Sequence, residues 1–328
     1  MHLFMAIIGF IAGLLFIIKG GDVFVDSALY IAKKAKIPPL IMGATIVSLT
    51  TTLPELFVST MASSSGHSEM AIGNAIGSII CNTGLILGLC ALLSPVTLKN
   101  RNALPKAVLL LASIGAYALL VWTSKGLERT GAMVLYCLLG LFIYLNLSEL
   151  KTEQADVEAD EEEGQPFKKS SLLSFLLGAV FIIFGARLLV TSGSDLAAIV
   201  GVPEKIISLT LIALGTSLPE LVTAMTAIRK KENAFSLGNI IGANILNITL
   251  VLSSAAMASS SGRLVTEMAT GGIFAGRYQL FSLDIPVAFG VCAVMLLMII
   301  TKKVSKLSGI TLLLIYGAYL SVLGFTLV

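Results

Sequence analysis

Long apolar runs dominate the chain, broken by short polar stretches. The runs fall near residues 3–32, 39–64, 69–94, 104–123, 130–148, 171–199, 204–228, 234–258, 281–301 and 307–327. A helix needs about 20 mostly apolar residues to cross the hydrocarbon core of a bilayer. A membrane β-barrel would instead show short segments of alternating character, and these runs are too long and continuous for that. The pattern predicts an all-α polytopic membrane protein with ten transmembrane helices. The first run, which opens MHLFMAIIGF, has no basic segment before it and no small-residue cleavage site, so it reads as a retained span. The second run carries Pro54-Glu55 at its middle, where a membrane helix tolerates neither residue easily.

That interruption recurs. Offset by 165 residues, the two halves match without a gap. Phe16–Asp22 (FIIKGGD) meets Phe181–Arg187 (FIIFGAR), Thr51–Leu56 (TTLPEL) meets Thr216–Leu221 (TSLPEL), and Gly73–Asn82 (GNAIGSIICN) meets Gly238–Asn247 (GNIIGANILN). A single offset held over such a length marks an internal repeat. Five spans separate each helix from its counterpart. Five is odd, so the second copy enters the membrane the other way up, an inverted-topology arrangement used by secondary transporters. The chain thus divides into a first five-helix repeat at 1–150 and a second at 171–328. The repeated segments lie near 39–94 and 204–258, and helices 2 and 7 are expected to break at the midplane. The linker 151–170 carries seven acids between Glu153 and Glu163. It lacks the glycine and ligand order of an EF-hand loop and reads as a solvated cytoplasmic connection or a weak regulatory cation site.

Composition agrees with residence in lipid: the 328 residues are 56% hydrophobic and 12% charged, against roughly 25% charged in soluble domains. The net charge of +3 says little, but its placement is informative. Lys33, Lys34 and Lys36 follow span 1, and similar triplets follow spans 3, 5, 7 and 9, fifteen basic residues in all; five lie at the opposite ends. This bias places the richer side in the cytoplasm and both termini outside. The expected location is a prokaryotic plasma membrane, with the lipid bilayer as partner, no nucleic acid, and a functional monomer. Cys81, Cys90, Cys137 and Cys292 all fall inside apolar spans without zinc-ligand spacing and read as small apolar residues.

The chemistry concentrates at the two Pro-Glu pairs. Pro54 has no N–H, so the Thr50 carbonyl loses its helical partner; Pro219 does the same to Gly215. In hydrocarbon, freed carbonyls must be satisfied by something else, and a cation is one candidate. Glu55 and Glu220 sit just beyond the breaks, and an acid at the bilayer centre costs about 2.5–3.5 kcal/mol even on a lenient scale. Two at equivalent positions in inverted halves imply one shared site. Thr51 with Glu55, and Thr216 with Glu220, are four apart and share a helix face. Carbonyls, hydroxyls and carboxylates are hard oxygen donors of the kind Ca²⁺ collects, and no His or Cys set favours a softer metal. Asn74, Ser78 and Asn82 form a polar stripe on the next helix, with Asn239, Ala243 and Asn247 in the second half. Gly73 with Gly77, and Gly238 with Gly242, would let another helix come close. Such stripes also serve as ordinary interhelical glue. Asp22 and Arg187 occupy equivalent positions in spans 1 and 6 and are expected to face or pair with each other.

At these residues the chain resembles the cation/Ca²⁺ antiporter superfamily, and most of all its prokaryotic sodium/calcium exchanger branch. The pattern G-T-S-L-P-E followed by G-N-x-x-G-S-N-I-x-N/D, present twice, carries the resemblance over the whole chain. The resemblance implies export of Ca²⁺ in exchange for Na⁺ or H⁺, with no cofactor and no enzymatic activity. Ions would bind among spans 2, 3, 7 and 8 while spans 1 and 6 slide to switch access. It further implies that Glu55 and Glu220 are the shared carboxylates and that Thr51 and Thr216 offer carbonyls and hydroxyls. Thr52 and Ser217 stand at the motif serine, Ser48 and Ala213 would lend carbonyls to outlying Na⁺ sites, Ser78 a hydroxyl, and Asn82 would line the centre. Thr50 replaces a glycine of the pattern, Ala243 replaces the second serine, and Asn247 stands where several Na⁺-coupled members have Asp. A Na⁺/Ca²⁺ antiporter, an H⁺/Ca²⁺ exchanger, and more remotely a cation channel or intramembrane enzyme remain the readings in play. Only His2 and His67 exist to serve an enzyme, both near span ends.

Overall fold

The computed structural model describes residues 2–98, 102–156, 169–199, 213–265 and 279–325. Among these, eight helices are long and apolar enough to cross a bilayer, and the bent pair Pro39–Thr51 and Leu53–Ser64 would make a ninth. They coincide with nine of the ten apolar runs. The seventh run begins outside the described residues, as do Pro203 and most of the acidic linker. The described residues form two compact units, Met1–Thr51 with Leu145–Asn239, and Thr52–Tyr144 with Ile240–Val328. Each unit mixes residues from both sequence repeats.

The first unit is built on α1 (His2–Lys34), which packs along its length against α9 (Lys169–Ile199). The pair is antiparallel and held by glycines. A Cβ on Gly13 would lie 2.9 Å from the Gly185 carbonyl oxygen, and one on Gly185 would lie 2.9 Å from the Gly13 carbonyl oxygen. Farther along, a Cβ on Gly20 would come within 3.1 Å of the Gly178 oxygen. Gly13 and Gly178 are repeat counterparts, as are Gly20 and Gly185, so the two contacts exchange under the repeat. Backbones can approach this closely only where side chains are missing. Phe24 stacks on Phe175 at 4.6 Å between centroids and leads a core with Val25, Ala28, Met42, Ile182 and Phe235. α2 (Pro39–Met42) passes through a π-helical turn, Gly43–Val47, into α3 (Ser48–Thr51). The same unit holds α10 (Ala213–Thr216) and α11 (Leu218–Arg229). Asp22 pairs with Arg229 and not with Arg187, and Asp26 lies 2.8 Å from Lys230. The antiparallel crossing explains the difference: the side of α9 opposite Asp22 is near Gly178, about nine residues from Arg187.

The second unit contains α4 (Leu53–Ser64) and α5 (Ser68–Ile80), the latter continued by a π-helical turn, Cys81–Leu87, into α6 (Gly88–Leu93). β1 (Val96–Thr97), α7 (Leu104–Ser124), β2 (Gly126–Glu128) and the start of α8 (Arg129–Asp156) follow. α8 runs past the expected end of span 5 into the linker. From the second half come the end of α12 (Asn233–Leu246), a π-helical turn Asn247–Val251, α13 (Leu252–Ala258) and β3 (Arg263–Val265). Next are a π-helical turn, Leu280–Asp284, α14 (Ile285–Ile300), β4 (Lys303–Val304) and α15 (Lys306–Phe325). β1 pairs antiparallel with β4, and β2 with β3, where Glu128 faces Arg263. The two ribbons sit at opposite ends of α7, whose 21 residues rise about 32 Å at 1.5 Å each. Loops after spans 3 and 9 therefore share one end of this unit, and loops after spans 4 and 8 share the other. The alternation of basic residues requires the same grouping. Of the cysteines, Cys81, Cys90 and Cys292 are buried and Cys137 is exposed.

Candidate cation site

The Pro-Glu pairs start new helices. Thr52 (φ −81°, ψ −5°) ends α3 and caps α4. Ser217 (φ −86°, ψ 2°) does the same between α10 and α11. α4 and α11 are both 12 residues long, and each carries its proline in the first turn, where no N–H is needed. Glu55 and Glu220 follow within the same first turn, where the helix dipole favours a carboxylate. A serine or threonine at this cap position ordinarily accepts a bond from the second or third N–H of its helix. Here the second residue is proline, and neither Thr52 nor Ser217 makes a side-chain capping bond. Both hydroxyls are buried without a hydrogen-bond partner among the described residues, leaving them available to a ligand.

In the first unit, Ser48, Glu220 and Asn239 are fully buried, Thr51 and Ser217 nearly so, and Thr216 is half-buried. The Thr51 hydroxyl lies 3.4 Å from Asn239 Oδ1 and 3.3 Å from the Ser48 carbonyl oxygen, while Ser48 Oγ donates back to the Ala44 carbonyl at 2.8 Å. The approach is permitted by Gly43 and Gly238: added Cβ atoms would fall 2.3 Å from the Phe235 oxygen and 2.2 Å from the Leu40 oxygen. Ala213 begins α10, and its side chain lies outside the described residues.

In the second unit, Glu55, Asn82, Ala243 and Asn247 are fully buried, and Ser78 is 2% exposed. α4, α5 and the turn Asn247–Val251 pack on one another and so gather the elements that carry Glu55, Ser78 and Asn247. Asn74 Nδ2 donates to the Glu55 carbonyl oxygen at 3.3 Å and to Ser59 Oγ at 2.9 Å, tying α5 to the helix that presents the acid. Ser78 Oγ, Asn82 Oδ1 and both amide atoms of Asn247 are buried without hydrogen-bond partners among the described residues. Buried polar atoms are nearly always bonded, so these unbonded groups, on elements packed against the helix that carries Glu55, are the candidate ligands of this unit. No close neighbour faces Gly73 or Gly77 among the described residues. The repeat counterpart of Leu40, which packs on Gly238, is residue 205 and lies outside them.

Three polar residues escape a reading of the repeat. Asn244 bonds Asn82 at 3.2 Å and Thr83 at 2.7 Å, and Ser59 bonds Asn74. Their repeat counterparts are Ile79, Ile248 and Ala224, so symmetry gives no hint of them. A glance at polar residues within the apolar run was the one available signal.

Among the described residues no group of three or more His, Cys, Asp or Glu is assembled. Each unit offers one carboxylate with hydroxyl and amide oxygens, a donor set suited to Na⁺ or Ca²⁺ and poor for transition metals.

A family model described as sodium/calcium exchanger protein matches residues 5–148 and 170–325. The inner membrane protein YrbG of Escherichia coli (strain K12) is 38% identical over 251 residues, covering 74% of this chain and 76% of that protein. The sodium/calcium exchanger MaX1 of Methanosarcina acetivorans is 29% identical over 350 residues, covering 95% and 96%. The solved sodium-calcium exchanger NCX_Mj, soaked with 10 mM Na⁺ and no Ca²⁺, superposes with a TM-score of 0.82 at 28% identity, covering 97% of this chain and 99% of its own.

Proposed function

The chain belongs to the sodium/calcium exchanger protein family, and on that premise we propose that it exports Ca²⁺ in exchange for Na⁺ by alternating access, both ions competing for one central site. The observation that carries the proposal is the pair of buried carboxylates, Glu55 and Glu220, each on the first turn of a proline-started helix beside an idle capping hydroxyl. Ten helices in two inverted repeats give the two carboxylates equivalent places along the chain, as one midplane cage requires. Support comes from the 165-residue repeat, from the reciprocal glycine contacts of the antiparallel α1 and α9, and from the paired loops of the second unit. α1 and α9 are the elements that slide. Termini lie outside a prokaryotic plasma membrane, and one chain suffices.

Within the cage, Glu55 and Glu220 bind both Ca²⁺ and Na⁺. Thr51, Thr216, Thr52, Ser217 and Ser78 add oxygens, Ser48 and Ala213 supply outlying Na⁺ carbonyls, and Asn74, Asn82, Asn239 and Asn247 line the remainder. Ala243 leaves one hydroxyl fewer. Two carboxylates balance one Ca²⁺ or two Na⁺. A third Na⁺ would carry net charge, each unit of which is worth about 2.3 kcal/mol per 100 mV.

Calcium flux into proteoliposomes, under a Na⁺ gradient, then a pH gradient, then neither, tests this. Uptake driven by the Na⁺ gradient alone is the expected result. Asparagine at both 82 and 247 also suits H⁺/Ca²⁺ exchange; uptake driven only by the pH gradient would select that reading. Uptake without either gradient would point to a channel and refute antiport.

A further inference from the structure

Asn82 sits in the π-helical turn Cys81–Leu87, with its side chain fully buried. An amide is ambiguous toward a cation. Its oxygen attracts the ion, its NH₂ repels it, and the two faces are nearly the same shape. For Asn82 to serve a cation, something must decide which face looks into the site.

The neighbourhood of Asn82 makes that decision. Asn82 Nδ2 donates to Asn244 Oδ1 at 3.2 Å. Asn244 in turn uses its own Nδ2 to donate to Thr83 Oγ1 at 2.7 Å. Thr83 Oγ1 then lies 3.8 Å from Cys292 Sγ on α14. All four side chains are fully buried. Asn244 thus grips two consecutive residues of one turn with the two ends of one amide. With the Thr83 proton given to Cys292 Sγ, Thr83 can only accept from Asn244. A flip of either amide alone then sets oxygen against oxygen or NH₂ against NH₂, and a flip of both sets the Asn244 oxygen against a hydroxyl whose proton is already spent. With the chain ordered this way, Asn82 Oδ1 is the atom left buried and unbonded among the described residues.

The repeat does not reproduce the residues of this device in the second half. Asn247 is the counterpart of Asn82, but the residues equivalent to Asn244 and Thr83 are Ile79 and Ile248. Both amide atoms of Asn247 are buried without partners among the described residues. The sequence repeat is near-symmetric in its acids and asymmetric in the control of its amides.

We propose that Asn244, braced by Thr83, is a positioning residue that locks the Asn82 amide with its oxygen toward the transported cation, while Asn247 has no such brace among the described residues. This rests on the assignment of Asn82 to the ion site. Asn82 then acts as a preorganised ligand in every turnover. Asn244 touches no ion itself.

The test is a double-mutant cycle on the KM for Ca²⁺ uptake into proteoliposomes, with Asn244→Leu in the natural chain and in Asn82→Ala. Residues that orient metal ligands change affinity by about 10- to 100-fold when replaced. Asn244→Leu is expected to raise KM by about tenfold with kcat little changed, and to add nothing once Asn82 is alanine. Thr83→Val, a milder change, should move KM in the same direction, and Thr83→Ser should restore it. A general packing role would give the same loss in both backgrounds, and that result would overturn the proposal. So would a Thr83→Val protein with unchanged KM, which decides the matter even if Asn244→Leu fails to fold. If Asn82→Ala alone leaves KM unchanged, the assignment of Asn82 to the site fails, and the proposal with it. The antiport reading stands or falls separately on the gradient experiment.

Discussion

Gly238→Ala is the smallest change that should damage both packing and site. An added Cβ would fall 2.2 Å from the Leu40 carbonyl oxygen, 3.0 Å from its carbon and 3.1 Å from the Ala44 nitrogen. All three atoms are backbone, so no side-chain rotation can clear the way. Restoring ordinary contact requires the two segments to part by about 1 Å. Overpacking of this kind costs about 1–3 kcal/mol, and backbone on backbone belongs at the upper end. Replacing glycine inside a helix offsets about 1 kcal/mol, leaving a net loss of about 2 kcal/mol. The Thr51 hydroxyl contact with Asn239, one residue along, is already 3.4 Å; a further 1 Å takes it beyond hydrogen-bond reach. Thermal unfolding in detergent, paired with the KM for Ca²⁺ uptake, measures both consequences. Gly140→Ala is the control, because an added Cβ there meets nothing within 4 Å among the described residues; it should hold or raise the midpoint. If Gly238→Ala melts at or above the natural protein and keeps its KM, the close crossing is not what holds Thr51 beside Asn239.

Three further outcomes are expected. Lys125 ends α7 in the left-handed region at φ 54°, so Lys125→Gly should relieve about 1–2 kcal/mol of strain and raise the melting midpoint; a lowered midpoint would mean the lysine side chain matters more than the backbone. A double-mutant cycle on melting should show coupling between Asp22 and Arg229 but additivity between Asp22 and Arg187; because the Arg229 side chain is 59% exposed, the coupling should stay below about 1 kcal/mol. With Cys137 replaced by alanine, single cysteines at Thr97 and Lys303 should be labelled by an impermeant thiol reagent from one side of the membrane, and one at Glu128 from the other; labelling of all three from one side would contradict the loop pairing.

The acids were legible in the sequence because they break a strong rule twice at one spacing. A proline and a glutamate within an apolar run stand out, and recurrence at 165 residues removes chance. The consequence of the break was half legible. Proline chemistry predicts freed carbonyls, but that Thr52 and Ser217 become caps with idle hydroxyls depends on backbone angles that no residue type encodes alone. The π-helical turns after Ile80 and Leu246 left no mark, since the residues that form them are ordinary helix residues. Asn244 and Thr83 were hidden for another reason: a repeat directs attention to what is shared, and these two are not. The pairing of Asp22 with Arg187 followed from equal positions in the repeat, yet an antiparallel crossing sends equal positions apart unless they lie at the crossing point. Arg229, 207 residues from Asp22 in the chain, is its partner instead.

Calorimetric titration of Ca²⁺ into the purified protein in Na⁺-free detergent tests the shared cage most directly, with Glu55→Gln and Glu220→Gln measured beside it. A single site fed by both halves predicts one Ca²⁺ per chain and loss of binding in each variant alone. Two Ca²⁺ per chain, or one Ca²⁺ retained at unchanged affinity by either variant, would mean that each carboxylate serves a site of its own.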